Sequence, residues 1–152
     1  MANHIYIYCK ADHGLEYRDV VERIDTTGPD DITIDPPSEG ELATSKEWDF
    51  FAVTHGTSKR PVQIQRITGD DVRPMIDDAL ERLDDGTGET DRVREHLRAT
   101  RQVFHIELGD VPDEVWNMLD ETELFIARKL DGIIGANEGF YDAELSQLVE
   151  IE

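Results

Sequence analysis

The carboxylates between residues 70 and 85 have the spacing that most invites a chemical reading. Asp70-Asp71, Asp77-Asp78 and Asp84-Asp85 recur every seven residues, nearly two helical turns, and Glu81 joins them on one face. From Asp70 to Asp91 there are nine acids and two arginines. Like charges at these spacings weaken a helix, so helix formation does not explain the row. A docking face would explain it: carboxylates at phosphate-like spacing attract a Lys/Arg-rich protein and steer its approach. The competing reading is a solvated face that shares the bias of the whole chain.

The histidines are the second group able to do chemistry. His105 and Glu107 share one face of a strand, and His55 ends a neighbouring strand. Imidazole titrates near neutrality and a carboxylate can orient it, so these three form a candidate acid/base set. His4 and Tyr6 place further polar groups on the first strand and would line a common pocket with His105 if the registers agree. The five histidines show no HxH, HExxH or cysteine partner, so zinc is not expected. Asp84-Asp85-Gly86-Thr87-Gly88-Glu89 misses the EF-hand register, and a turn between helices accounts for it better than calcium. Thr54 to Arg60 carries hydroxyls, glycine and two cations but lacks P-loop spacing and joins no strand to a helix. No nucleophile or dinucleotide signature is present. No cofactor and no metal are expected.

These residues need elements to hold them. His4 to Lys10 alternates, with Ile5, Ile7 and Cys9 against Tyr6, Tyr8 and Lys10, and predicts a central strand because both faces are bulky. A helix is expected from about Leu15 to Ile24. Residues 25–47 turn to Thr, Gly, Pro, Asp and Ser, a long irregular excursion with at most a short extended piece at Ile32-Thr33-Ile34. Trp48 to His55 and Pro61 to Ile67 read as a hairpin around Gly56-Thr57-Ser58-Lys59-Arg60. A helix follows with Val72, Ile76, Ala79, Leu80 and Leu83 inward. An inter-helix turn is expected over 86–90, then a helix from Thr90 to Thr100 and a strand over Gln102 to Leu108. The strongest signal comes last. Asp110 is the expected N-cap of a helix whose apolar face runs through Val115, Leu119, Thr122, Ile126 and Leu130, Gly132 is its expected left-handed stop, and Ile133-Ile134 and Phe140-Tyr141 flank a glycine turn.

The order β-α-β-β-α-α-β-α-β-β predicts one α+β domain over 1–152. Its mixed or antiparallel sheet is expected to carry helices on one face. The first elements through Gln102 match a ferredoxin-like β-α-β-β-α-(α)-β core, extended by the C-terminal helix and β-hairpin.

Bulk properties narrow the function. Thirty-five acids against fifteen bases give a formal charge of −20, and the bases are eleven Arg to four Lys. Such a surface repels nucleic acid and anionic membranes and attracts cationic partners, or adapts a whole proteome to high salt. The apolar runs are too short to span a bilayer, no secretory signal is visible, and the lone Cys9 reads as a buried thiol, so a cytoplasmic protein is expected. The sequence therefore favours a non-enzymatic interaction domain that binds a basic protein partner through Asp70, Asp71, Asp77, Asp78, Glu81, Asp84 and Asp85, possible immunity-type inhibitors included. The alternative is a small enzyme or ligand-binding protein with a pocket lined by His4, Tyr6, His55, His105 and Glu107.

Overall fold

The computed structural model describes residues 3–56, 60–109 and 111–151. Its first strand, β1 (Asn3–Cys9), feeds two cores because successive side chains leave a strand on opposite faces. Ile5, Ile7 and Cys9 enter one, and Tyr8 enters the other. After it come α1 (Tyr17–Thr27), β2 (Ile32–Asp35), α2 (Gly40–Ala43), β3 (Phe50–His55) and β4 (Val62–Ile67). A short 3-10 turn at Gly69–Asp71 leads into α3 (Val72–Leu83), β5 (Gly86–Gly88), α4 (Thr90–Arg98) and β6 (Gln102–Leu108). The chain ends with α5 (Asp113–Leu130), β7 (Gly132–Ala136), β8 (Gly139–Tyr141) and β9 (Gln147–Ile151).

Among the described residues these strands form one antiparallel sheet of nine, in the order β2-β3-β4-β6-β1-β7-β8-β9-β5. It is an α+β architecture, but helices cover both faces rather than one. The first core holds Tyr17, Val20 and Ile24 of α1 with Met118, Leu119 and Ile126 of α5. The second holds Val72, Ala79 and Leu83 of α3 with Val93 and Leu97 of α4. The reason lies in the opposite rows of the strands. Tyr8, Val103, Ile133, Phe140 and Val149 all point away from α1 and α5, and that much apolar surface needs its own cover.

The expected ferredoxin-like assignment is not confirmed. The β3–β4 hairpin docks on β6 and not on β1, whose neighbours are β6 and β7. The last helix, expected as an extension, joins two central strands: α5 leads from β6 to β7 across the intervening β1. The expected turn over 86–90 contains β5, paired with β9 on the sheet edge. The 25–47 segment holds β2 and α2 and lies against α1: Tyr17 donates its hydroxyl hydrogen to the carbonyl of Pro36, and the Tyr17 amide donates to Ser45 at 3.0 Å. The stop of α5 also differs. Asp131 takes the left-handed conformation at φ 55°, and Gly132 starts β7 opposite Cys9. Gly132 serves close packing there, since an added Cβ would lie 3.0 Å from Ile7 and 3.1 Å from Ala127. The expected cap Asp110 and the loop residues Thr57, Ser58 and Lys59 lie outside the described residues.

β7 and β8 are joined through Asn137-Glu138, with Ala136 paired to Gly139. Gly139 has φ 147°, and a Cβ built on it would sit 1.9 Å from the carbonyl oxygen of Val149. Gly139→Ala is therefore expected to destabilise the fold by about 2 kcal/mol or more, read as a lower urea midpoint. An unchanged midpoint would show that this turn does not need glycine.

Candidate functional site

The strand register decides what becomes of the expected histidine set. Tyr6 pairs with His105 and His4 with Glu107 across β1 and β6. His4 Nδ1 lies 2.8 Å from His105 Nε2, and Tyr6 stacks on His105 with ring centroids 4.6 Å apart. One imidazole must donate and the other accept in that contact, so the pair cannot be doubly protonated without losing it. Burial lowers the His105 pKa, the neighbouring His4 lowers it further, and Glu107 acts weakly in the other direction. His55 does not join them. It follows the parity of Phe51 and Val53, which enter the core under α1 and α5, while His105 is on the opposite face. An odd offset in the β3–β4–β6 ladder and two strand spacings keep His55 apart from His105 and Glu107.

The acids on and around α3 behave as a solvated row. Asp70, Asp71, Asp77, Asp78, Glu81, Asp84 and Asp85 are all exposed. Arg73 lies 3.7 Å from Asp77, and Arg94 lies 3.7 Å from Asp84, so two of the seven have partners within the chain. Exposed acids also populate the other elements, among them Asp19 and Glu22 on α1, Glu41 on α2, Glu95 on α4 and Glu114 on α5.

A different carboxyl group has the environment of a functional site. Trp116, Asp120 and Glu123 follow at steps of four and three, so they form one stripe along α5. The stripe faces a cavity of about 340 Å³ closed by His4 and Ile5 of β1, Ile134 and Ala136 of β7, and Tyr141 and Leu145 beyond the hairpin. The cavity exists because β7 pairs with β1 only as far as Tyr6 and then turns into β8, leaving the start of β1 uncovered on that edge. Glu123 is 3% exposed, and its Oε2 finds no hydrogen-bond partner among the described residues. Burial pushes its pKa up to about 8, with Asp120 adding to the rise. Asp120 is itself raised by burial and by Glu121. Glu123 is thus a neutral carboxylic acid at pH 7, held between aromatic and aliphatic walls, able to donate one hydrogen bond or to ionise when a cation arrives.

Comparison with protein-family models, curated proteins and solved structures finds no match. The geometry is what speaks for the site. Of the candidate site residues read from the sequence, His4 alone borders this cavity among the described residues. The missed signal was an acid at 123 standing four residues after Leu119 and three before Ile126, on the buried stripe itself. Among the described residues no helix is long and apolar enough to cross a membrane.

The raised pKa of Glu123 makes a signed prediction. The folded state holds a proton that the unfolded chain releases near the ordinary value of 4.5, so this group's contribution is fully present below that pH and is lost as pH rises toward 8. Glu123→Gln abolishes this titration. Relative to the variant, the wild type should lose on the order of 3–5 kcal/mol of unfolding free energy between pH 5 and 9 in urea titrations. Parallel pH profiles for the two proteins would show that Glu123 titrates normally.

Proposed function

We propose that this protein binds a small organic cation with an apolar body in the cavity beneath α5. Buried Glu123 carries the reading. A carboxyl group with an unpartnered oxygen is costly in any apolar site, about 1–3 kcal/mol for the lost hydrogen bond alone, and a ligand that supplies a partner recovers that cost. The rest of the wall narrows the ligand. Asp120 and Glu138 add acidic groups, no Lys or Arg lines the cavity among the described residues, and Trp116 and Tyr141 offer aromatic faces that attract an ammonium or guanidinium ion. The cavity has room for a group of several carbons beside the charge. Ionising Glu123 at pH 7 costs about 1.4 kcal/mol against a charge-assisted hydrogen bond worth about 1.5–3 kcal/mol, so the balance favours the bound cation. The formal charge of −20 also raises the local concentration of cations.

This cavity is not the expected pocket of His4, Tyr6, His55, His105 and Glu107: the His4 ring stacks with Tyr6 and His105 on the other face of β1, and Glu123 and Tyr141 are among the polar side chains that line the cavity. Docking of a basic protein on Asp70, Asp71, Asp77, Asp78, Glu81, Asp84 and Asp85 has less support, because exposed acids are distributed over every helix rather than gathered there. We also read the centre of the sheet, β7-β1-β6-β4 with α1 and α5, as a ferredoxin-like core with long insertions. The strand order and the shared face of the two helices support that reading.

Binding expels the Glu123 proton, so affinity should follow pH. For a phenylalkylammonium probe the association constant is expected to rise about tenfold per pH unit between 6 and 8 and then level off, measured by calorimetry in buffers of different ionisation enthalpy. Glu123→Gln should flatten that profile, and Trp116→Ala should weaken binding at every pH. Saturable binding with no pH dependence, or no binding of aryl and alkyl ammonium probes, would remove the proposal.

A further inference from the structure

Five of the chain's fifteen cations converge on one place. Lys46, Arg66, Arg73, Arg98 and Arg101 line a single cleft of about 710 Å³, against Asp12 and Glu47 as its only acids among the described lining residues, a local excess of three positive charges in a protein of charge −20. Five segments supply them: the approach to β3, the end of β4, the start of α3, the end of α4 and the start of β6. Among the described residues Lys46, Arg98 and Arg101 make no ion pair, so surrounding acids do not account for their placement.

The floor of the cleft is built. Gln102 is 1% exposed, and its Nε2 donates to the carbonyl oxygens of Ala11 and His13, each at 2.7 Å. That leaves its Oε1 to accept from Arg66 Nε at 2.8 Å. Arg66 Nη1 donates to the Lys46 carbonyl at 3.0 Å, and Glu47 stands 3.9 Å from the same nitrogen. Gly14 lets the loop before α1 close against the loop before β3: an added Cβ would be 2.1 Å from the Lys46 oxygen and 3.3 Å from Arg66 Cζ. The guanidinium plane is therefore fixed before a ligand arrives, which lowers the entropy lost on binding.

We infer that this cleft binds a small molecule bearing a diphosphate group. A phosphate carries about −1.5 to −2 charges near neutrality, so two of them match the local balance of the cleft. Forked guanidinium donors suit tetrahedral oxyanions. A long polyanion is disfavoured, because most of its length would lie over acidic surface, whereas a compact anion meets only the cations around it. This site shares no lining residue with the Glu123 cavity, so either reading can fail alone.

The test is calorimetric titration at low ionic strength with pyrophosphate, inorganic phosphate and citrate. Pyrophosphate should bind saturably, more tightly than phosphate and at least about tenfold more tightly than citrate. Arg98→Gln combined with Arg101→Gln changes two exposed side chains, and it should weaken pyrophosphate at least about tenfold with an unchanged Tm. Arg66→Lys keeps the charge but loses the fork, and it should weaken pyrophosphate as well. No saturable binding of pyrophosphate, citrate binding as tight as pyrophosphate, or undiminished binding by the double variant would overturn the assignment.

Discussion

The register between β1 and β6 is the constraint on which the other arrangements rest. Ile5 opposite Ile106 and Ile7 opposite Phe104 set one row against α1 and α5, while Tyr8 opposite Val103 sets the alternate row against α3 and α4. A slip by one residue would exchange the two rows, because the side-chain period of a strand is two. It would send Tyr6 and Tyr8 into a core shaped for isoleucine, and it would separate His4 from His105. The antiparallel ladder to β7 then locks the other edge of β1, with Ile7 opposite Ile134. Two cores of different composition thus specify one register, each by what it excludes.

That same register creates the cavity under α5. β7 reaches Gly135 opposite Tyr6 and turns away, so Ile5 and His4 continue without a strand on that side. Side chains from α5 fill part of the gap, and the one that does so most deeply is an acid. Keeping Glu123 ionised in such a place would cost on the order of 5 kcal/mol, comparable to the net stability of many domains. A leucine or methionine would fit the surrounding stripe without that cost. Keeping the proton recovers only about 1.4 kcal/mol of that at pH 7, and the helix tolerates the acid because seven other buried positions along α5, Leu119 and Ile126 among them, hold it down.

Much of the fold could be read from periodicity. The alternation of β1, the apolar stripe of α5 and the inward faces of α3 and α4 all follow from spacing along a single segment. What spacing along a segment does not contain is which segments meet. The opposite rows of β6, β7 and β8 carry Val103, Ile133 and Phe140, an apolar set that only forms a surface once the strands are neighbours, and so the second helical layer was not foreseen. β5 has only three residues, two of them glycine, and takes its extended form from the ladder with β9. His55 was grouped with His105 because both end up in strands, but parity, counted through the β3–β4–β6 ladder, puts them on opposite sides. Glu123 was legible in principle as a charge on a buried stripe. The cation cleft was not, since its members lie as far apart in sequence as Lys46 and Arg101.

The total charge of −20 says less about function than these two local departures from it. At ionic strength near 0.1 M the field of exposed carboxylates is largely screened beyond about 10 Å, so a ligand responds chiefly to groups inside that distance. Within it the two sites are opposites. One is a cavity of mixed lining where burial holds a proton on a glutamate, and the other is a polar cleft where five segments bring positive charge together. An even acidic coat maintains solubility and gives no address. An address requires a group set apart from the exposed majority, and here that distinction belongs to a buried glutamic acid and to a guanidinium held by a buried glutamine.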